Sequence, residues 1–301
     1  ISDHGSFSGA ARALSTVQSN VSAHISRLEK DLTTSLVDRS SGRLTEDGEL
    51  VVERARRVLN QVQDIAADVN SKDADVEGET VLGCIGTTAR WLMPRLLPEL
   101  TSKFPKIRVT IVEGSTLNLI PRLTSGSLSA GIVHLPIEDD NLQATPLFAE
   151  DLVLLVHAKH EWSKLEKITI QELASRPLLL PPKNNSLRKI LDRAAGTQRL
   201  VLTPQAEIDG VRLLTSLAFE GFGAAVVPAT AAPGWIKGEF KRIEIPELPR
   251  RVVGLVQRGR PLPNKSTSAV AAMIREVIER TGDRQPGVHI GKGAFPLKRP
   301  S

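Results

Sequence analysis

The run from Gly86 to Arg90 (GTTAR) is the best candidate in the sequence for binding a small anion. It lies where a strand-like segment gives way to a helical pattern, and free backbone N–H groups at a helix start attract negative charge. The hydroxyls of Thr87 and Thr88 add hydrogen-bond donors, and Arg90 lies one turn away. Either threonine could instead do no more than cap the helix, so capping and ligand binding both stay open.

Thr116 and His134 are further candidates for the same ligand. Thr116 follows Glu113 in the equivalent turn of the next strand–helix unit, and His134 follows a strand. His134 on its own is better described as a loop histidine than as a ligand contact.

Other chemistries have weaker patterns. His157 and His160 have the spacing of a metal-binding pair, but no third ligand with an obvious spacing follows. Gly221 and Gly223 begin like a dinucleotide fingerprint, yet Val226 occupies the place of the third glycine and an apolar strand follows where a helix should begin. The sequence contains no GxxxxGK[ST] loop and no G-x-S-x-G elbow. We therefore expect no catalytic residues, no metal and no cofactor.

Composition excludes several classes of protein. Cys84 is the one cysteine, so neither an internal disulfide nor a thiolate zinc site can form. Tyrosine is absent and aromatic residues make up 3%, which leaves little ring surface for stacking bases. No apolar stretch approaches the roughly 18 residues of a membrane span, and no signal-peptide pattern opens the chain. These features predict a cytoplasmic protein with no membrane partner.

Residues 5–32 predict two short helices joined by a tight turn. Ser8 is the expected N-cap of the first and Thr16 of the second. Their apolar faces are Phe7, Ala10, Ala11 and Leu14 in the first helix, and Val17, Val21, Ile25, Leu28 and Leu32 in the second. The pair is typical of a helix-turn-helix, although such pairs also occur as plain packing units. The net charge of +5 lies mostly after residue 78 and does not decide between these interpretations.

The polar face of the second helix is suited to a DNA major groove. Its side chains are small or carry amides, and asparagine and glutamine can pair with adenine. A flexible loop at 39–45 follows, with two arginines that could act as a wing on the phosphates or in the minor groove. The residues expected to contact DNA are Gln18, Ser19, Asn20, Ser22, Arg27, Arg39 and Arg43.

Residues 46–69 predict a longer helix with an apolar seam. Spacings of four and three recur through Val51, Ala55, Val58, Val62, Ile65 and Val69. A core helix could show the same spacing, but an acidic outer face favours pairing between protomers as a homodimer or homotetramer. Residues 70–79 have no period and are expected to form a hinge.

From residue 80 onward, strand-like and helical runs alternate, which predicts an α/β fold with largely parallel sheets. The expected strands are 81–86, 107–113, 130–134, 152–157, 178–181, 224–228 and 251–257. The expected helices are 89–104, 187–195, 211–219 and 266–281. Residues 282–301 are expected to form a disordered tail.

The N-terminal motif resembles the winged helix-turn-helix of LysR-type transcriptional regulators. The matching residues are Gly5, Ser6, Phe7, Ala10, Ala11, Leu14, Gln18, Ser22, Ile25, Leu28, Glu29, Leu32, Leu36, Arg39, Arg43, Leu44, Thr45 and Gly48. The resemblance continues through Leu96–Pro98, Phe104, Pro105, Glu113, Gly114, Leu123, Gly126, Leu128 and Ala130. Three departures are Thr33 for the usual glycine, Val37 for phenylalanine and Ser129 for aspartate.

The resemblance implies a division of the chain into parts. An all-α winged helix-turn-helix with a truncated first helix spans 1–45, and a linker helix with a hinge spans 46–79. A two-lobed α/β effector domain like the type II periplasmic binding proteins follows. Its lobes are 80–149 plus 253–281, and 150–252, with the tail at 282–301.

The resemblance also implies partners. We expect double-stranded DNA, RNA polymerase, a second copy of the chain and a small anionic effector held between the lobes. The second lobe would contribute Asn185 and Phe222 to that ligand. A transporter's solute-binding protein and an α/β enzyme are the alternatives, because fold alone does not separate the three.

Overall fold

The computed structural model describes residues 1–70, 76–260, 262–291 and 293–295. The chain divides into two compact units, Ile1–Val69 and Asn70–Ser301. No helix within the described ranges is long and apolar enough to span a membrane.

The first unit contains α1 (Phe7–Ala13), α2 (Gln18–Leu32) and α3 (Glu46–Asn70). Ala10, Ala11 and Val21 form its small core. A side chain at Gly48 would lie 2.0 Å from the Leu36 carbonyl oxygen, so only glycine lets α3 begin this close to the preceding segment.

Both predicted helix caps are wrong. Ser6 caps α1 by accepting a hydrogen bond from the Gly9 amide, and Ser8 already lies inside the helix. Val17 precedes α2 without a side-chain cap, because the Thr16 hydroxyl accepts from the Asn20 amide group instead. Thr33 ends α2 in the left-handed conformation at φ 55°, where a β-branched residue is strained.

The apolar face of α2 is buried at Val21 and half-buried at Ile25, whereas Val17, Leu28 and Leu32 are exposed. The reason is length. The seven residues of α1 can cover only part of the 15-residue α2.

The second unit is an α/β structure built on two sheets. The first sheet contains β1 (Gly78–Ile85), β2 (Ile107–Gly114), β3 (Ala130–His134), β4 (Leu142–Glu150), β10 (Arg251–Arg258) and β11 (Val288–His289), in the order β11-β4-β10-β3-β1-β2. The second contains β5 (Leu152–His157), β6 (Leu178–Leu180), β7 (Pro204–Glu207), β8 (Ala225–Pro228) and β9 (Phe240–Glu244), in the order β7-β6-β8-β5-β9.

Helices cover both sheets of this unit. They are α4 (Gly86–Lys103), α5 (Thr116–Thr124), α6 (Ile170–Ala174), α7 (Ser186–Thr197), α8 (Val211–Phe219) and α9 (Lys265–Thr281). Each of the seven predicted strands is present. The core of the first lobe includes Trp91 and Phe148, whose rings meet edge to face with centroids 5.3 Å apart.

The sheets are mixed, so the expectation of largely parallel sheets is wrong. Strands β1, β2 and β3 pair in parallel, but β10 pairs antiparallel with both β3 and β4. The antiparallel pairs arise from the path of the chain. The chain leaves the first sheet after Glu150 and re-enters it at Arg251, so the returning strand runs against its neighbours.

The expected disordered tail is also wrong for residues 282–291. Val288 and His289 form β11 against Glu150 and Ala149 of β4. Gln285 is 2% exposed; its amide nitrogen donates to the Ala229 carbonyl at 3.2 Å and its amide oxygen accepts from the Gly234 N–H at 3.0 Å. Backbone pairing with β4 and the buried side-chain amide of Gln285 therefore fix residues 282–291 against the rest of the second unit, although their sequence has no hydrophobic period. Residues 292 and 296–301 lie outside the described residues.

Gln285→Ala should lower the free energy of unfolding of the second unit by about 1–3 kcal/mol, because it leaves the buried Ala229 carbonyl and the Gly234 N–H without this partner. Chemical denaturation of the full chain measures this loss. Asp283→Ala, at an exposed neighbouring position, is the control and should leave stability unchanged. Equal stability of Gln285→Ala and the unaltered chain would contradict this role.

Candidate DNA-binding surface and effector cavity

The N-terminal end of α2 presents the predicted DNA contacts Gln18, Ser19 and Asn20 on the surface, with Ser22 half-buried beside them. Local hydrogen bonds orient the two amides. The side-chain amide oxygen of Gln18 accepts from the Ser8 hydroxyl at 2.9 Å. The side-chain amide nitrogen of Asn20 donates to the Thr16 hydroxyl oxygen at 3.1 Å. The amide nitrogen of Gln18 and the amide oxygen of Asn20 stay available for base edges.

Arg39 is held against α2, although the sequence places it in a free loop. Its guanidinium donates to the Ser26 hydroxyl at 2.9 Å and to the Glu29 carboxylate at 3.0 Å, and it lies 5.8 Å from the Phe7 ring centre. The backbone N–H of Leu36, followed by smaller contributions that include Arg39, lowers the pKa of Glu29. Arg39 thus helps to hold the segment after α2 in place.

The loop predicted to be flexible is a closed hairpin. Val37 and Leu44 form an antiparallel bridge, and Gly42 turns the chain at φ 69°. The Asp38 carboxylate accepts from the Ser40 hydroxyl at 2.6 Å and from the Ser40 N–H at 2.8 Å, which lowers its pKa to about 2. The hairpin therefore presents Arg43 from an ordered turn. Arg27 is exposed on α2.

The seam of α3 is exposed where its side chains are described. Val58 is 59% exposed, Val62 58% and Ile65 65%. Ala55 is also exposed and Val51 is half-buried, whereas the side chain of Val69 lies outside the described residues. An exposed apolar row of this kind on one helix is typical of a surface that packs against a partner.

A cavity of about 370 Å³ lies between the two lobes of the second unit. The N-terminal ends of four helices line it, two from each lobe: α4 through Gly86 and Thr87, α5 through Ser115 and Thr116, α7 through Asn185 and Ser186, and α8 through Gly210 and Val211. His134, Arg251, Glu113, Asp209 and Arg212 complete the polar part of the lining.

Four of the six predicted effector residues meet in this cavity, namely Thr87, Thr116, His134 and Asn185. Asn185 also caps α7 by accepting from the Leu187 N–H at 2.9 Å. Thr87, Thr116 and Asn185 lie at helix starts, and His134 is the last residue of β3.

Thr88 and Phe222 do not line the cavity, and these two assignments are corrected. Thr88 is fully buried, and its hydroxyl has no hydrogen-bond partner among the described residues. Thr88 lies about 100° further round α4 than Thr87, and in this helix that rotation takes its side chain away from the cavity. Phe222 is 54% exposed and follows the C-terminal end of α8. The nine residues of this helix place that end about 13 Å from the N-terminal end that lines the cavity.

No sequence motif indicated Arg251, which lines the cavity, or its ion-pair partner Glu150. The Arg251 guanidinium donates to Glu150 at 2.9 Å and to the Thr87 hydroxyl oxygen at 3.1 Å. Glu150 also accepts from the N–H and the hydroxyl of Thr230 at 3.0 and 2.7 Å. All four side chains are buried, so this network joins the two lobes beneath the cavity. The one feature of the sequence that could have indicated Glu150 is its position as a charged residue directly after an apolar run.

His134 is neutral at physiological pH. Burial, followed by the nearby positive charge of Arg251, lowers its pKa to about 3. Its ring therefore brings a neutral donor and acceptor to the cavity, and no positive charge. His157 and His160, the pair with metal spacing, each accept a backbone N–H through the ring, from Lys159 and Trp162.

The second unit should lose stability as the pH falls from 6.5 to 5, by about 1–2 kcal/mol from His134 alone. The folded-state pKa lies below the unfolded value of about 6.5, so the unfolded chain binds the extra proton in this range. Denaturation at several pH values measures the slope. His134→Asn should flatten it, whereas His24→Asn, exposed in the first unit, should not. An unchanged slope in His134→Asn would show that the ring titrates normally.

Comparison with known proteins matches both units. A model described as "Bacterial regulatory helix-turn-helix protein, lysR family" matches residues 1–49, and "LysR substrate binding domain" matches residues 73–279. The transcriptional dual regulator OxyR of Escherichia coli is 30% identical over 280 residues, which cover 88% of each chain. A hydrogen peroxide-inducible genes activator of Pectobacterium carotovorum is 28% identical and covers 93% of this chain and 94% of that protein.

Solved structures show the same fold. A full-length OxyR variant of Pseudomonas aeruginosa aligns with a TM-score of 0.66 at 25% identity, covering 90% of this chain and 92% of that one. CbnR in complex with its target DNA aligns with a TM-score of 0.69 at 18% identity, covering 92% and 96%. With its helix-turn-helix followed by a two-lobed effector-binding domain, the chain belongs to the LysR family of DNA-binding transcriptional regulators.

Proposed function

We propose that this regulator binds a specific DNA site through α2 and the Arg43 hairpin, and that a small molecule with an anionic group controls this binding from the cavity between the lobes. The observation that carries the proposal is the meeting of four helix N-terminal ends, two from each lobe, around one cavity. Their free N–H groups favour a negative charge at this point. A ligand that touches both lobes changes the balance between their arrangements, and this supports control of DNA binding.

Control by oxidation of a thiol is not supported by this chain, although several relatives are named hydrogen peroxide-inducible activators. Peroxide oxidises an accessible thiolate. Cys84 is the one cysteine of the sequence; it lies fully buried in β1, and burial raises its pKa. We therefore infer that reversible binding in the cavity is the control step.

The roles in DNA binding follow from the hydrogen bonds of each side chain. Gln18 and Asn20 offer amide groups for base edges, while Arg27 and Arg43 are cations suited to phosphates. Arg39 is proposed to act mainly through its contacts with Glu29 and Ser26. RNA polymerase remains an expectation from the family.

Gln18→Ala should weaken binding to the cognate site by about 1–3 kcal/mol and leave binding to random DNA nearly unchanged, because it removes the proposed base contact and an exposed hydrogen bond with Ser8 but no phosphate contact. Arg43→Ala should weaken both and reduce the salt dependence of binding. Fluorescence anisotropy with the chain's own upstream promoter and with random DNA, at several salt concentrations, compares them. Equal losses on both DNAs from Gln18→Ala would contradict the groove assignment.

The exposed seam of α3 supports self-association, because Val58 and Val62 lie one turn apart on its apolar side. Val58→Asp should place an unpaired charge in the interface and dissociate the oligomer, measured by light scattering. Glu53→Asp, on the same helix, is the control and should keep the oligomer. An unchanged mass for Val58→Asp would show that the seam does not join protomers.

A further inference from the structure

The cavity between the lobes has two ends with different chemistry. At the inner end, Arg251 and Thr87 are buried and hydrogen-bonded to each other at 3.1 Å. The Thr116 hydroxyl accepts from the His134 backbone N–H at 3.1 Å and extends this end toward α5. Hydroxyls, helix N–H groups and a guanidinium meet here, which is the set of donors that a carboxylate requires.

The outer end carries the acidic side chains Glu113 and Asp209 together with Arg212. Glu113 and Arg212 also line the larger groove beside the cavity, which places them where the cavity opens. They form an ion pair between the lobes at 3.1 Å, with side chains 41% and 57% exposed. Asp209 immediately precedes Gly210 at the start of α8 and is exposed.

The charges at the outer end do not balance. Glu113 is paired with Arg212, whereas Asp209 has no ion-pair partner within the described ranges. At the inner end, the charge of Arg251 is already matched by Glu150 behind it. The cavity therefore attracts an anionic group through hydrogen bonds and helix ends, but its side chains supply no excess positive charge. A ligand with two negative charges would meet Asp209 unfavourably.

We propose that the effector is a small aliphatic zwitterion, with a carboxylate at the inner end and a protonated amino group bound by Asp209 at the outer end. This inference rests on the proposed function and names the chemical class of its ligand. The apolar lining consists of the aliphatic side chains Ile85, Leu187, Val211 and Leu213, and no phenylalanine, tyrosine or tryptophan ring lines the described cavity. At about 370 Å³ the cavity is near the lower end of the range for small-molecule sites.

The test compares amino acids with acids that lack the amino group. Glycine, 2-aminobutyrate and the straight ω-amino acids of three to six carbons are each paired with the unsubstituted carboxylate of equal length, and succinate is added as a dianion. Thermal shift and titration calorimetry on the full chain measure binding, since a ligand selective for the folded state raises its apparent stability. We expect at least one amino acid to bind ten times more tightly than its unsubstituted partner.

Variants locate the amino group. Asp209→Asn should remove that tenfold preference and leave binding of the unsubstituted acid unchanged. Asp140→Asn, which makes the same change of charge at an exposed position outside the cavity lining, should keep the preference. A preference that survives in Asp209→Asn overturns the assignment of the amino group to this residue.

Two other outcomes also overturn the inference, and they differ in what they leave standing. If unsubstituted acids or succinate bind as tightly as the amino acids, the anion site of the proposed function stands and the zwitterion is wrong. If none of the compounds binds, the anion site fails together with the zwitterion. DNA binding by the same protein preparation shows that the chain is folded in either case.

Discussion

The buried ion pair between Glu150 and Arg251 is the interaction on which the second unit depends. The two residues face each other in the β4–β10 ladder, at the point where the chain leaves the first lobe and returns to it. Because buried charges are costly without partners, the pair is stable only with its further hydrogen bonds to Thr87 and Thr230. One cluster thereby connects the start of α4, the second lobe and the floor of the cavity.

The position of the cavity follows from the α/β topology. Strands β1 and β2 are parallel and each leads directly into a helix, so the starts of α4 and α5 meet at one edge of the first sheet. The second lobe brings α7 and α8 to the opposite wall. Backbone N–H groups are thus concentrated where the lobes face each other, and Asp209 and His134 line the cavity beside them.

The first unit orders α2 and the hairpin that follows it by short-range hydrogen bonds. Glu29 accepts from the N–H groups of Leu36 and Val37 and from Arg39, which ties the hairpin to α2. Asp38 closes the hairpin turn. Groups that are ordered before binding lose less conformational entropy on binding, and Glu29 and Asp38 provide such order in the segment after α2.

Local pattern in the sequence determined the elements and much of the candidate site. Hydrophobic period located seven of the eleven described strands and the main helices. The hydroxyls of Thr87 and Thr116, placed where a strand meets a helix, indicated two residues of the cavity lining. The tertiary structure alone decided the rest. Thr87, and not Thr88, lines the cavity because of the rotation of α4, and Glu150 meets Arg251 across 101 residues of sequence. Residues 288–289 became a strand because β4 offered a free edge, and a pairing of this kind depends on distant backbone groups that leave no periodic signal in the sequence.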